Sequence, residues 1–288
     1  MVSRHSAFYS PVIAAIAGGF LEREGIAATY SVLPPGARSH VLIREGAVDV
    51  VQSAVSTNWK PMERGDAPLP LHFAQINRRD GFFLVARQSN APFAWTDLEG
   101  RELLADHGLQ PLVMLRYAAA YNQVPWDRIR VLDAGTPEEM DAAFRAGKAD
   151  FVHLQSPAAH RLEHDGVGRV AVSVGWSMPE VAFSSLSASR EFLSGEKAPA
   201  FLRAYGAAKE WVRHAAPEDI AACESQYFPD TAAPALAAAI RAYQSLGCWE
   251  GGLAIPRDLY EQSLTVFEHS REITRRHPYD EVCINLSV

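Results

Sequence analysis

The sequence predicts an α/β protein built from two blocks of similar topology, followed by a helical C-terminal region. Helical patterns alternate with short apolar strand patterns up to about residue 186, an order typical of sheets covered by helices. A segment of the first block recurs in the second. Beyond Arg190 the apolar periodicity is helical almost throughout. We therefore expect each block to hold a mixed, mostly parallel sheet flanked by helices, with a helical tail packed on the first block.

Composition narrows the class of protein. The chain has 288 residues, and 48% of them are hydrophobic, which is enough for a substantial core and about two domains. The net charge of -7, without basic runs, argues against a nucleic-acid partner, since such binding needs clustered cations. Cys223, Cys248 and Cys283 are widely spaced, so neither a disulfide framework nor a zinc ribbon is indicated. No apolar run reaches membrane-spanning length. We expect no cofactor and no metal.

The first block opens with a helix predicted over residues 11–24, with Gly18–Gly19 inside it. Pro11 suits the first helical position behind the N-capping Ser10, and Gly25 ends the run. The other predicted elements of this block are strands over 28–33, 48–51 and 69–76 and a short helix over 37–45.

The second block is predicted to follow the strand over residues 82–86. Its strands are expected over 103–105, 129–132, 150–154 and 170–174, and its helices over 111–122, 137–145 and 157–164. The chain is expected to cross back at 181–186 and to continue as helices over 200–214, 217–226, 232–245 and 256–274.

An internal repeat links the two blocks. Residues 44–53 and 145–156 both read Arg-x-Gly-x-x-Asp, then apolar residues, then Gln-Ser. The pattern describes a helix stopped at Gly, a tight turn and a buried strand that ends in polar residues. Helix–Gly–strand joints are common, so chance is the alternative explanation. Two copies in separate α/β blocks nevertheless favour two lobes of similar topology.

Candidate functional residues gather where strands end and helices begin, the place where open α/β sheets bind ligands. Nucleophile elbows, P-loops and zincin motifs are absent from the sequence. His160 and His164 have the i, i+4 spacing of metal ligands, but a solvated helix face explains them better. Individually, most of these polar residues fit ordinary capping and turn chemistry. The polar residues found at these junctions include Ser3, Ser6, Arg38, Ser56, Thr57, Asp106, Thr136 and His153.

Several motifs resemble one family of solute-binding proteins. Residues 8–15 (FYSPVIAA) and 18–25 (GGFLEREG) are similar to the opening of the proteins that serve ABC importers for nitrate, sulfonates, taurine and thiamine precursors. The Arg-x-Gly-x-x-Asp repeat resembles that family's cleft edge, and residues 181–189 its return crossover. The resemblance implies the two-lobed type II periplasmic binding protein fold, with hinge closure around a ligand. Lobe one would comprise residues 1–86 and 187–288, and lobe two residues 87–186.

The resemblance implies a function as well. The chain would be a non-catalytic, extracytoplasmic protein, periplasmic or lipid-anchored, that delivers a small polar solute to an ABC importer permease and acts as a monomer. A sulfonate, carboxylate or pyrimidine-like solute would be held by backbone N–H groups near two glycines, by cationic side chains and by flanking aromatics. The expected ligand-binding residues are Arg4, His5, Phe8, Tyr9, Gly36, Gln52, Ser53 and Asn77 in lobe one, and His107, Gly108, Gln155, Ser156, Trp176 and Glu180 in lobe two.

The chain departs from the family pattern at its start. Only Met1 and Val2 precede Ser3, so the first strand is expected to be nearly absent, and no signal peptide is seen. A cytosolic enzyme on the same fold, related to thiamine-pyrimidine synthesis, is the alternative, with His5, His107, His153 and Glu180 as acid–base groups. The cysteine-rich iron site of those enzymes has no counterpart here. A ligand-sensing module of a regulator is a third possibility.

Overall fold

Two sheets organise the molecule. The structure is a computed structural model and describes residues 1–87 and 92–286. Its strands are β1 (Val50–Ser53), β2 (Leu71–Asn77), β3 (Phe82–Ala86), β4 (Glu102–Leu104), β5 (Arg130–Leu132), β6 (Phe151–Gln155), β7 (Arg169–Ser173) and β8 (Ser184–Ala188).

The sheet of lobe one has three strands in the order β1-β8-β2, and both pairings are antiparallel. Short segments from both ends of the chain extend it. Val2 bridges Val32 and Gln52 in parallel, so a remnant of the expected first strand lies beside β1. At the opposite edge, Cys283 bridges His72 of β2.

The sheet of lobe two has five strands in the order β5-β4-β6-β3-β7. Strand β4 runs parallel to β5 and β6, whereas β3 runs antiparallel to β6 and β7. The two-lobed α/β fold is thus confirmed, but the sheets are less parallel than expected. Strands β3 and β8 cause the difference, because the chain carries each into its sheet directly from the other lobe. A parallel neighbour needs a helical crossover instead.

The strand pairing indicates where the chain passes from one lobe to the other. Strand β3 belongs to the five-stranded sheet, and all of β8 belongs to the three-stranded sheet. We therefore propose that the chain changes lobe near residues 78–81 and again near residues 175–183, a few residues earlier than the expected boundaries at 86/87 and 186/187. Residues 88–91 and 287–288 of the expected division lie outside the described residues.

The two segments that cross between the lobes are tightly packed at glycines. Gly81 lies against the ring of Phe8, where an added Cβ would meet ring carbons at 2.6 Å. At Gly175 an added Cβ would lie 2.1 Å from the carbonyl oxygen of Asp80. Because glycine has no side chain, the two crossing segments can lie this close to their neighbours at these positions.

The first predicted helix is interrupted. Helix α1 (Ser10–Ala17) ends at Gly18, and α2 (Phe20–Arg23) begins after Gly19, whose φ of 69° is left-handed. The expectation of one helix through Gly18–Gly19 was therefore wrong, since two adjacent glycines weaken a helix and permit this break. The strand expected over residues 28–33 was also wrong, since only Val32 makes a bridge there.

The remaining helices follow the predicted order. Helix α6 has the predicted bounds because Thr136 and Glu139, on either side of Pro137, form a capping box at its first turn. The short helices α4, α8 and α13 were not predicted. The bounds are α3 Ser39–Arg44, α4 Trp59–Glu63, α5 Leu109–Tyr121, α6 Pro137–Arg145, α7 Ala158–His164, α8 Arg190–Ser194, α9 Lys197–His214, α10 Pro217–Glu224, α11 Ala233–Ser245, α12 Arg257–His269 and α13 Tyr279–Val282.

Within the described residues, none of the helices has both the length and the apolar character needed to cross a membrane.

Candidate ligand-binding cleft

A cavity of about 560 Å³ lies between the lobes, where strands of both sheets end or begin. Residues at the ends of β1 and β6, at the starts of β3 and β8, and at the first turn of α5 all face it. This is the position at which open α/β sheets bind ligands. Its lining consists of Ser3, Arg4, Tyr9, Leu33, Ala37, Arg38, Ser39, His40, Gln52, Ser53, Ala54, Thr57, Phe82, Leu109, Gln110, Pro111, Gln155, Phe183 and Ser184.

Arg4 joins the two lobes at the cleft. Its guanidinium forms an ion pair with Asp106, which follows β4, and lies 5.5 Å from the centre of the Phe82 ring. Asp106 also accepts a 2.8 Å hydrogen bond from the Gly108 N–H. Burial would raise the pKa of the Asp106 carboxyl, but the Arg4 guanidinium and the Gly108 N–H outweigh it and hold that pKa below its usual value. The Arg4 charge is thus already balanced.

The internal repeat brings two glutamines to the same cavity. Gln52 ends the first copy on β1, and Gln155 ends the second on β6; both are nearly buried. Gln52 Oε1 accepts hydrogen bonds from the Ser3 N–H at 3.0 Å and the Ser3 hydroxyl at 2.9 Å. Gln155 Oε1 is buried without a partner among the described residues. The structure therefore places both glutamines of the repeat in the lining of one cavity.

Two features, one from each lobe, give the cleft positive charge. Arg38 is exposed and forms no ion pair within residues 1–87 and 92–286. The first turn of α5 faces the same cavity, and its leading N–H groups have no intrahelical acceptor. The aligned peptide dipoles add partial positive charge at this end of the helix. The arrangement favours a negatively charged ligand group.

Gln110 connects the first turn of α5 to lobe one. Its Oε1 accepts a 2.8 Å hydrogen bond from the Ser56 hydroxyl, and its Nε2 donates to the Phe183 carbonyl oxygen at 2.8 Å. With the Arg4–Asp106 pair, these bonds hold the lobes together at the cleft. The cleft-forming end of α5 is therefore fixed in position.

Ionisable groups lie beneath the cleft floor. Burial raises the pKa of the Tyr9 hydroxyl, and hydrogen bonding from the Gln155 amide works in the opposite direction. Burial raises the pKa of Asp80 to about 7 and lowers that of His153 to about 3. His153 stacks on Phe82, with ring centres 4.3 Å apart. Both residues are fully buried, so they shape the floor and do not contact solvent.

Several expected ligand contacts instead hold the protein together. Phe8 is fully buried and packs on Tyr243, and Asn77 Nδ2 donates to the Phe8 carbonyl oxygen at 2.9 Å. The Ser156 carbonyl oxygen accepts a 2.7 Å hydrogen bond from the Ser6 hydroxyl, and the Ser156 hydroxyl contacts His160. These expected contacts lie outside the cavity lining, because long-range partners use their polar groups.

His5 and His107 are also held by their own lobes, away from the cavity. The His5 ring nitrogens lie 2.7 Å from the Tyr30 hydroxyl and 2.7 Å from the Tyr227 carbonyl oxygen. Burial lowers the pKa of His5. His107 Nδ1 lies 2.8 Å from the Ala105 carbonyl oxygen. Neither imidazole belongs to the cavity lining.

The other expected contacts outside the lining are two glycines and two crossover residues. Gly36 is an exposed turn glycine with a φ of 77°, and the Gly108 N–H is already bonded to Asp106. Trp176 is exposed on the second crossing segment. Glu180 forms ion pairs with two neighbouring arginines, including Arg79 at 2.8 Å. Of the expected set, the lining contains Arg4, Tyr9, Gln52, Ser53 and Gln155.

The lining includes residues that were absent from the expected ligand-binding set. Gln110 is the clearest example. The sequence signal that could have identified it was its position in the first helical turn after Gly108. Arg38 and Ser3 were among the polar residues expected where strands end and helices begin, but they were not among the expected ligand-binding residues. Phe82 and Phe183 resemble ordinary core residues in the sequence, and only the fold shows that Phe82 begins β3 and Phe183 directly precedes β8 at the cleft. In the part of the chain that the structure describes, no cluster of three or more potential metal ligands occurs.

A two-lobed protein with a cleft between its sheets has the architecture of the periplasmic binding proteins. The chain belongs to the family described as NMT1/THI5 like, which matches residues 7–220. The binding protein YtlA of Bacillus subtilis (strain 168) is 24% identical over 282 residues, covering 96% of this chain and 84% of YtlA.

Solved structures share the fold at low identity. The alkanesulfonate-binding protein SsuA from Xanthomonas axonopodis pv. citri, bound to MOPS, superposes with a TM-score of 0.72 at 14% identity. The match covers 98% of this chain and 96% of SsuA. The desulfurization enzyme DSZB superposes with a TM-score of 0.65 at 13% identity, covering 99% of this chain and 95% of the enzyme. The fold therefore carries both binding proteins and an enzyme.

Proposed function

We propose that this protein binds a small organic anion in the cleft and delivers it to an ABC importer. The observation that carries the proposal is the positive charge of the cleft, since Arg38 and the first turn of α5 line one cavity. Family membership and the likeness to an alkanesulfonate-binding protein support the same role. The permease of the importer is the expected partner, and the protein acts outside the cytoplasm as a monomer.

The cavity favours an anion with an apolar part. Its volume of about 560 Å³ far exceeds what an ion as small as nitrate needs. Phe82, Phe183 and Leu109 line it beside the polar groups, so an aliphatic or aromatic body would bury apolar surface on binding. Sulfonates and aromatic carboxylates fit this description. Pyrimidines and thiamine precursors are the competing class.

The test is a binding measurement on two matched variants. Arg38→Gln removes the unpaired cation of the cleft, whereas Arg44→Gln removes an exposed arginine of the same helix region that does not line the cavity. We expect Arg38→Gln to weaken binding of the best sulfonate or carboxylate at least tenfold, or about 1.4 kcal/mol. Arg44→Gln should bind like the unmodified protein. Equal affinities for the two variants would refute the assignment of the anion to Arg38.

Recovery of the ligand separates transport from catalysis. A compound found by thermal-shift screening should be recovered chemically unchanged after long incubation, as mass spectrometry can show. A ligand at a thousandfold excess over its dissociation constant should stabilise the protein by about 4 kcal/mol. Conversion of the compound to a product would instead support the enzyme alternative.

A further inference from the structure

Gln155 lines the cleft and carries a hydrogen-bond acceptor that the protein leaves unused and that a rotation of the amide would turn toward a ligand. Its side chain is 7% exposed and lines the cavity, and its Oε1 is buried without a partner in the described part of the chain. An unsatisfied buried acceptor is unfavourable unless a ligand pairs with it.

The equivalent residue of the other lobe behaves differently. Gln52 occupies the same place in the internal repeat, but Ser3 donates two hydrogen bonds to its Oε1. Its acceptor is therefore already satisfied. Of this pair, only Gln155 can accept a hydrogen bond from a ligand without giving up one that it already has.

We propose that Gln155 is a specificity-determining residue, and that it selects anions which also carry an N–H or O–H donor. The inference rests on the proposed function, since it assumes that the anionic group sits at Arg38 and the first turn of α5. A donor on the ligand body would then pair with Gln155 Oε1. Anions whose body is purely hydrocarbon leave that oxygen buried and unpaired, and they bind more weakly.

Matched pairs of probes test the inference by isothermal titration calorimetry. In each pair a donor group replaces a methyl group of similar size at constant charge: para-hydroxybenzenesulfonate with para-toluenesulfonate, hydroxyethanesulfonate with propanesulfonate, and para-hydroxybenzoate with para-toluate. For the pair that fits the cleft best, we expect the donor-bearing member to bind at least tenfold more tightly. Gln155→Met, which keeps the length but removes the acceptor, should reduce this ratio to nearly one.

Gln52→Met is the matched control, because it makes the same chemical change at the repeat-equivalent position. It should weaken both members of a pair alike and keep their ratio. If Gln155→Met does not fold by circular dichroism, Gln155→Asn, which shortens the side chain and withdraws the oxygen, serves instead.

The outcomes separate the inference from the proposed function. Equal binding of both members by the unmodified protein overturns the specificity role while anion binding stands. A tenfold preference that survives in Gln155→Met also overturns the specificity role, since another residue must then distinguish the two members of the pair. If no sulfonate or carboxylate binds at millimolar concentration, the proposed function fails and the inference fails with it.

Discussion

Replacing Asp106 by Asn should destabilise the protein far more than an isosteric change at the surface. The Asp106 side chain is 6% exposed and pairs with Arg4, which is 28% exposed. Asn keeps an oxygen for the Gly108 N–H but turns an NH₂ group toward the guanidinium, so Arg4 loses its counter-charge. Breaking a buried ion pair costs about 3–5 kcal/mol, and the partial hydration of Arg4 reduces this to about 2–3 kcal/mol.

The assay is thermal and urea unfolding of matched variants. A loss of 2–3 kcal/mol corresponds to a Tm lower by about 3–5 °C in a chain of this size. The control is Asp66→Asn, because Asp66 pairs with Arg64 at 3.1 Å near the surface, where the side chains are 36% and 53% exposed. That change should cost no more than about 0.5 kcal/mol. If Asp106→Asn costs no more than Asp66→Asn, the Arg4–Asp106 pair does not stabilise the fold.

The pH dependence gives a second readout of the same pair. The pKa of folded Asp106 lies below its ordinary value, so the unfolded chain binds this proton first as the pH falls. The stabilisation is therefore complete above the unfolded pKa and disappears as the pH drops through the folded one. The stability difference between the unmodified protein and Asp106→Asn should shrink in acid.

Two further perturbations test the packing. Burial lowers the pKa of Lys209 to about 7, although Nζ donates to the Gly252 carbonyl oxygen at 2.9 Å. The unfolded chain then binds more protons than the folded one between about pH 7 and 10. Stability from urea unfolding should therefore rise over that range, and Lys209→Met should remove the rise; equal slopes would contradict this. Gly175→Ala should cost about 1–3 kcal/mol, because the new Cβ would lie 2.1 Å from the Asp80 carbonyl oxygen. Gly252→Ala, with open space around it, should change Tm little; similar losses for both would show that the crossing segment can move aside.

Local signals predicted much of the fold. Helix α6 was predicted with its observed bounds because Thr136, Pro137 and Glu139 form a start signal within four residues. The strand expected over 28–33 failed because strand propensity does not supply a partner, and here only Val32 found one. The break at Gly18–Gly19 was overlooked because the apolar spacing continues across it.

The candidate cleft was predictable only where the sequence marks strand ends. The repeat placed Gln52 and Gln155 at such ends, and both line the cavity. Asn77 and Ser156 carried the same signal, yet partners distant in the sequence, Phe8 and Ser6, use their polar groups. A sequence does not show which polar residues will be engaged by distant backbone. The division between cleft and scaffold therefore needed the fold.

The extension of the lobe-one sheet by both chain ends has a consequence for solubility. Strand β1 is covered by the Met1 and Val2 backbone, and β2 is covered at His72 by Cys283. Uncovered strand edges invite pairing with another molecule and so promote aggregation. At the β1 edge, the outermost segment beyond Val2 is the short stretch at Val32. Pro34 and Pro35 follow closely after this stretch and have no N–H to donate. The sheet therefore offers little template for intermolecular β-pairing, which suits a protein that must stay dispersed while it carries a ligand.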